Sequence, residues 1–274
     1  MPVSTEDFSF VANYLRQKSA ISIGPGKEYL VESRLASVAR ETGYKDVSAL
    51  IKELRTPRPN PRVGTAIVEA MTTNETSFFR DHHPFEVLRK ELLPELMNRN
   101  GFSRRLSIWS AASSTGQELY STAMLIDTHY PELAAWELTL FGTDLSTECV
   151  ARAGTGEFSP LEVNRGLAAP MLVKYFERKG PQYVISERLR KWVRFQQMNL
   201  AASWPILPRF DVVFCRNVLI YFEQDVRRQI LEKIRRALNP GGYLLLGTAE
   251  TTVGVVEGFT PIRFGNTTVF KAEG

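Results

Sequence analysis

Cysteine is scarce: Cys149 and Cys215 are the two in 274 residues, each lies in an apolar run, and neither forms a Cys-x-x-Cys pair. The pattern reads as two buried free thiols in a reducing compartment, not as a disulfide framework. Histidine is equally sparse. His82 and His83 are adjacent and His129 is remote, which fits no histidine ligand set, so no metal is expected. No apolar run approaches the roughly 18 residues of a membrane span. The first ten residues carry Glu6 and Asp7 and no apolar core, so they do not read as a signal peptide. A soluble, cytoplasmic chain without membrane insertion is expected. Runs of five or more like charges are absent and the net charge is only +4. That balance permits an acidic partner and does not demand nucleic acid. There is also no internal repeat, no low-complexity tract and no G-x-G-x-x-G, which lowers the case for a nicotinamide dinucleotide.

What is present suffices for a globular core: 43% hydrophobic, 11% aromatic and 23% charged residues. The chain reads as two parts, a helical domain over residues 1–70 and a larger one over 71–274. In the first, Phe8, Val11 and Leu15 recur at helical spacing, and Leu30, Val31, Leu35, Val38 and Ala39 form a second stripe with Gly43 as its C-terminal stop. A third helix spans Val47 to Leu54. Thr56 to Arg62 holds three prolines and reads as a loop before a last helix, Val63 to Met71. Lys27 and Arg34, seven apart, fall on one helix face and offer a cationic surface to an acidic substrate, or a solvated face balanced by Glu28 and Glu32.

The second part alternates. Short apolar strands at Leu106–Ser110, Leu138–Gly142, Phe210–Cys215, Tyr243–Gly247 and Thr267–Lys271 are interleaved with helices at Glu118–Thr128 and Asp225–Leu238, and Pro240-Gly-Gly242 reads as a turn. That alternation predicts an α/β fold with a doubly wound, Rossmann-like sheet. Tyr183–Ile185 and Val193–Phe195 suggest a small antiparallel β-subdomain at about 175–198.

Ligands of doubly wound sheets lie at the carboxyl ends of the strands. After the first strand comes Ala111-Ala-Ser-Ser-Thr-Gly-Gln-Glu118, whose small residues and Gly116 allow close backbone approach, or simply cap the next helix. After the second comes Thr143-Asp144, an acid placed for a ribose, or for a helix N-cap with Ser146. After a later strand comes Arg216-Asn217, followed by Tyr221. Upstream, Met71-Thr-Thr-Asn-Glu-Thr-Ser-Phe-Phe-Arg80 sets polar residues before an aromatic pair and a cation.

These segments, with Met198-Asn-Leu200, occur in an order that closely resembles the CheR-type chemotaxis receptor methyltransferases over nearly the whole chain. The resemblance implies an S-adenosylmethionine-dependent methyltransferase that forms glutamate γ-methyl esters on the cytoplasmic helices of chemoreceptors. It implies that Asn74, Thr76 and Arg80 line the cofactor and substrate pocket and that Glu118 and Asp144 are acidic cofactor contacts. It places Asn199-Leu200 beside the adenine, Arg216-Asn217 at strand-end contacts and Tyr221 near the transferred methyl, so that Arg80 and Tyr221 are the expected catalytic pair. There are departures. Leu119 stands where the family usually has proline, and Thr248-Ala-Glu250 where His-Ser-Glu is common. The stretch from Tyr175 to Leu200 is several residues shorter than in enteric members, whose β-subdomain grips a receptor C-terminal peptide. A monomer independent of that tether is expected, meeting receptors through its helical domain.

The chemistry asks little of acid–base groups. A carboxylate of pKa about 4.3 is already ionised at neutral pH, so no base is needed. Cationic donor and anionic acceptor both lose charge, so the protein mainly holds them in line, about 3 Å apart. A nucleic-acid methyltransferase is the first rival, and it would need a strongly basic surface; residues 1–70 hold ten Lys/Arg against eight Asp/Glu. A catalytically silent docking module is the second, which the intact Arg80, Asp144, Arg216, Asn217 and Tyr221 oppose.

Overall fold

Helix α1 (Thr5–Ser19) opens at Ser4, whose side chain accepts the Asp7 N–H, and buries Phe8, Val11 and Leu15. The protein is described here from a computed structural model covering residues 3–274. Helix α2 (Glu28–Glu41) buries Val31, Leu35, Val38 and Ala39. It ends where Gly43, at φ +81°, lets the Tyr44 N–H reach Ala39 O at 2.8 Å and its own N–H reach Arg40 O at 3.3 Å. These are the paired bonds of a Schellman stop. Helix α3 (Val47–Leu54) is capped by Asp46. Helix α4 (Pro61–Ala70) starts two residues before the expected Val63, because Asn60 caps it and Pro61 already has the φ of a first helical residue.

Two details change the reading of this unit. Lys27 is the residue preceding α2 rather than part of its face. Arg34 donates to Met71 O at 2.9 Å, Thr72 O at 2.7 Å and Thr73 Oγ1 at 3.0 Å. Arg34 thus ties residues 71–73 to α2, and the unit extends through Thr73 instead of stopping at 70. It also takes in Tyr221–Val226. There the Ser22 N–H donates to Tyr221 O at 2.9 Å, Ile21 and Phe222 form a β-bridge, and Arg16 pairs with Glu223.

The second unit is built on ten strands: β1 (Arg105–Ser110), β2 (Glu137–Asp144), β3 (Glu157–Phe158), β4 (Phe176–Lys179), β5 (Gln182–Ile185), β6 (Val193–Gln197), β7 (Phe210–Cys215), β8 (Leu238–Leu246), β9 (Phe259–Phe264) and β10 (Thr267–Ala272). Seven form one sheet in the order β6-β2-β1-β7-β8-β10-β9; β6 to β8 are parallel, and β10 and β9 close the edge antiparallel. All six residues of β7 are buried, as expected of a central parallel strand covered on both faces. From β1 the chain proceeds to β2 on one side and later to β7 on the other, so the topological switch lies between β1 and β7.

The small antiparallel sheet is β3-β5-β4, and this corrects the expected subdomain. Tyr183–Ile185 lies in it, but Val193–Phe195 belongs to β6, which pairs in parallel with β2 from Leu140–Val193 to Asp144–Gln197. Pro240-Gly-Gly242 is likewise no turn between elements. It is a bulge inside β8, where partners jump from Phe210–Leu238 to Val212–Tyr243 and Gly241 takes φ +70°. At the amino ends of β1 and β7, buried Asp211 accepts from Ser107 N, Arg99 Nη2, Asn100 Nδ2 and Asn239 Nδ2 at 2.9–3.2 Å. Asp211 pins the end of the sheet opposite the site described next. Among the described residues no helix is long and apolar enough to cross a membrane.

Candidate active site

The carboxyl ends of β1, β2 and β6 converge on Asp144, which is 8% exposed. Its Oδ2 accepts the Ser114 N–H at 2.8 Å, its Oδ1 accepts the Ser146 N–H at 3.0 Å, and its own C=O accepts the Met198 N–H at 2.8 Å. Ser146 is also the N-cap of the next helix, through Cys149 N, so the cap and the strand-end acid are separate residues. The loop after β1 is bent by Ser114 at φ +48° and Gly116 at φ +94°. A side chain at Gly116 would strike the Phe195 ring at 2.8 Å, so this glycine accommodates packing against β6 rather than a ligand. Ser114 Oγ donates to Asn74 O at 2.7 Å. Asn74 and Thr76 line a cavity of about 280 Å3 with Thr115, Gln117, Cys149 and Arg165.

A second cluster centres on Arg216, whose side chain is 2% exposed. Nη1 donates to Glu118 Oε2 at 2.9 Å, while Nη2 donates to Asp81 Oδ2 at 2.6 Å and to Arg80 O at 3.0 Å. Ser110 Oγ completes Glu118 at 2.8 Å. The loop carrying Arg80 is tightly bent, with Phe79, Asp81 and His82 all at positive φ. It is tied down by the Phe79 N–H on Ser121 Oγ at 2.9 Å and by Arg80 Nη1 on Glu75 O at 2.9 Å.

Asn217, at φ +57°, begins a third cluster. Glu250 accepts four backbone N–H groups, from Asn217, Val218, Leu219 and Gly247, at 2.7–2.9 Å. This carboxylate shapes the β7 strand-end loop. Tyr221 closes that loop in the short helical turn Leu219–Tyr221, half-buried. After β6, the Asn199 side chain accepts the Ala201 N–H at 2.9 Å, and buried Leu200 offers its C=O to Trp204 Nε1 at 3.0 Å. Burial pushes the Cys215 thiol well above its ordinary pKa, reinforced by the negative charges of Glu250 and Glu118. Burial likewise raises Cys149.

Among the residues expected from sequence, Asn74 and Asp144 are linked through Ser114, Arg80 and Glu118 are linked through Arg216, and Thr76 lines a cavity with Asn74. Asn199-Leu200 follows the strand beside Asp144, and Asn217 adjoins Arg216. Ser114, Asp81 and Glu250 were missed. Ser114 lies within the loop quoted after the first strand, Asp81 directly follows Arg80, and Glu250 ends the Thr248-Ala-Glu segment, but nothing local marks Glu250 as an acceptor for a loop thirty residues earlier.

The donor set fits a nucleoside-type cofactor. Asp144 offers a fixed carboxylate at the end of β2, suited to vicinal hydroxyls. Ser113 Oγ, Arg216 Nε and Asn217 Oδ1 are buried without a hydrogen-bond partner among the described residues, and all three follow β1 or β7, the strands flanking the switch point.

Comparison with known proteins agrees. Residues 6–72 match the family model described as CheR methyltransferase, all-alpha domain, and residues 74–266 match that described as CheR methyltransferase, SAM binding domain. Chemotaxis protein methyltransferase 1 of Pseudomonas aeruginosa is 40% identical over 278 residues, covering 100% of both chains. Chemotaxis protein methyltransferase Cher2 of Pseudomonas putida is 38% identical with the same coverage. Chemotaxis protein methyltransferase 1 of Vibrio cholerae is 36% identical over 98% of each chain. With the helical unit and the Rossmann-like unit each matched by its own model, the chain belongs to the CheR methyltransferase family, an S-adenosylmethionine-dependent methyltransferase.

Proposed function

We propose that this methyltransferase esterifies glutamate side chains on the cytoplasmic helices of chemoreceptors, working as a cytoplasmic monomer. Full-length likeness to chemotaxis methyltransferases supports the pathway. The observation that carries the carboxylate is Arg80. Only one hydrogen bond from its five-donor guanidinium is formed among the described residues, to Glu75 O, which leaves a cation able to orient an anionic acceptor. The test is methyl transfer from labelled cofactor to receptor-enriched membranes. Label that alkali releases as methanol is expected; alkali-stable label would overturn the ester.

Bound S-adenosylmethionine supplies an electrophilic methyl on a cationic sulfur. In this reading Asp144, fixed by the Ser114 and Ser146 N–H groups, holds the ribose hydroxyls with its carboxylate. Asn199-Leu200 borders the adenine, and Asn74 and Thr76 line the pocket. Arg216 fixes Glu118 and the Arg80-Asp81 loop. Asn217 turns the strand end, and Tyr221 donates one hydrogen bond near the reacting carboxylate. Asp144→Ala is expected to weaken S-adenosylhomocysteine binding by about 1–3 kcal/mol, read by calorimetry, the scale of lost charge-assisted bonds. Unchanged affinity would remove Asp144 from the cofactor site. Tyr221→Phe should leave the melting temperature nearly unchanged and slow turnover at saturating receptor; wild-type turnover would contradict the assigned role.

Tether independence also belongs to this reading. The edges of the small sheet are β3, two residues long, and β4, four residues long with Glu177, Arg178 and Lys179 exposed. A short charged edge is a poor template for an added strand. Pro181 sits in the two-residue turn between β4 and β5, where it removes a backbone donor near that edge. Titration with C-terminal peptides of the organism's own receptors should show no micromolar binding, and receptors truncated at the C-terminus should still be methylated.

A further inference from the structure

Lys233 lies on the helix Gln224–Ala237, outside every motif considered so far. Its Nζ donates to Leu200 O at 2.7 Å and to Ala202 O at 2.8 Å, and sits 4.8 Å from the centre of the Trp204 ring. Trp204 in turn donates to the same Leu200 carbonyl and packs edge-on against buried Trp109, ring centres 5.2 Å apart. The Trp109 Nε1–H donates to Thr143 Oγ1 at 3.0 Å, one residue before Asp144. The Leu200 carbonyl thus receives two donors, one of them cationic. The turn is closed on itself by the Ala202 N–H on Asn199 O at 3.2 Å and the Ala201 N–H on Asn199 Oδ1 at 2.9 Å. The loop beyond it to Arg209 has no regular structure, so Lys233 and Trp204 are the ties that anchor the turn to the rest of the fold.

We propose that Lys233 is a positioning residue for cofactor binding: it clasps the Asn199–Ala202 turn and holds it in the shape that borders the adenine. This rests on the assignment of Asn199-Leu200 to the adenine side. The ammonium is suited to the task. It offers three rotatable donors on a long stem, so it can bond two carbonyls two residues apart while its charge faces an indole. Burial lowers its pKa, as expected for a cation whose partners are carbonyl dipoles.

The experiment compares Lys233→Met, which keeps the apolar stem and removes the donors, with Lys233→Arg, Trp204→Phe and Asn199→Ala in the full chain. The readouts are calorimetric affinity for S-adenosylhomocysteine, KM for S-adenosylmethionine against kcat, and tryptophan emission. Lys233→Met is expected to weaken S-adenosylhomocysteine binding and raise KM by about tenfold, the scale of a hydrogen bond to a charged group. Its kcat should stay within about twofold and Trp204 emission should shift. Lys233→Arg should recover most of the affinity, and Trp204→Phe should show a smaller loss of the same kind. If Lys233→Met fails to fold, Trp204→Phe and Lys233→Arg carry the same comparison. Wild-type affinity in Lys233→Met together with weakened Asn199→Ala would overturn the clasp while leaving the adenine assignment standing. Wild-type affinity in both would overturn the assignment and the clasp with it. A fall in kcat at unchanged KM would also overturn the proposal.

Discussion

Arg216→Ala is expected to lose about 3–5 kcal/mol of stability, the cost of removing one partner from a buried charge cluster. The guanidinium side chain is 2% exposed and holds Glu118, which is 13% exposed, so the abandoned carboxylate has little water to turn to. The loop loses as much as the core does. Asp81 Oδ2 and Arg80 O both hang on Arg216 Nη2, and the loop's three positive-φ residues depend on such outside ties. Methyl transfer should therefore fall further than the shift in melting temperature alone accounts for. Arg216→Lys keeps the charge but cannot bridge Glu118, Asp81 and Arg80 O from one planar fork, and should recover only part of the loss. Chemical denaturation and turnover measured on the same samples check this; a stability change under about 1 kcal/mol would show that the cluster does not hold the loop.

Glu250→Ala is the second large effect. Four backbone N–H groups lose their acceptor together, and each bond to a charged group contributes about 1.5–3 kcal/mol when buried. Glu250 is only half-buried, so water recovers part of this, and a net loss of about 3 kcal/mol is expected. The chief consequence is local. Asn217 at φ +57° is held there by the bond from its own N–H, so hydrogen exchange at residues 217–219 should accelerate ahead of the sheet. Glu250→Gln retains one acceptor oxygen and should fall between wild type and Ala. Unchanged exchange at 217–219 would mean the loop holds itself.

The readable parts of this molecule are those governed by local rules. Gly43 stops α2 because only its φ allows the two closing bonds, and the alternation of buried strands with amphipathic helices exposes the sheet. Asp144 was legible because a strand end followed by an acid is a local pattern. What failed was long-range. Val193–Phe195 looks like a partner for Tyr183–Ile185 when only neighbours in sequence are considered; its true partner, β2, lies some fifty residues earlier. Strand β9 was passed over because Pro261 interrupts it, which an edge strand tolerates. Pro240-Gly-Gly242 carries turn chemistry yet is absorbed as a bulge because both flanks of β8 pair with β7. Arg34 was read as a surface charge, since nothing in α2 reveals that three acceptors at residues 71–73 surround it.

The two thiols carry a consequence for the enzyme's own survival. Its cofactor is an alkylating agent, and a thiolate is the protein nucleophile such an agent attacks most readily. Cys215 immediately precedes Arg216 at the end of β7, and Cys149 lies in the helix that Ser146 caps beside Asp144. Burial first, and then the neighbouring carboxylates, disfavour the thiolate at both positions; Cys215 is fully enclosed, while Cys149 borders the cavity that Asn74 and Thr76 line. Burial, aided by the acids that organise the site, thus weakens the nearest competing nucleophiles, which favours transfer to the incoming carboxylate over self-alkylation.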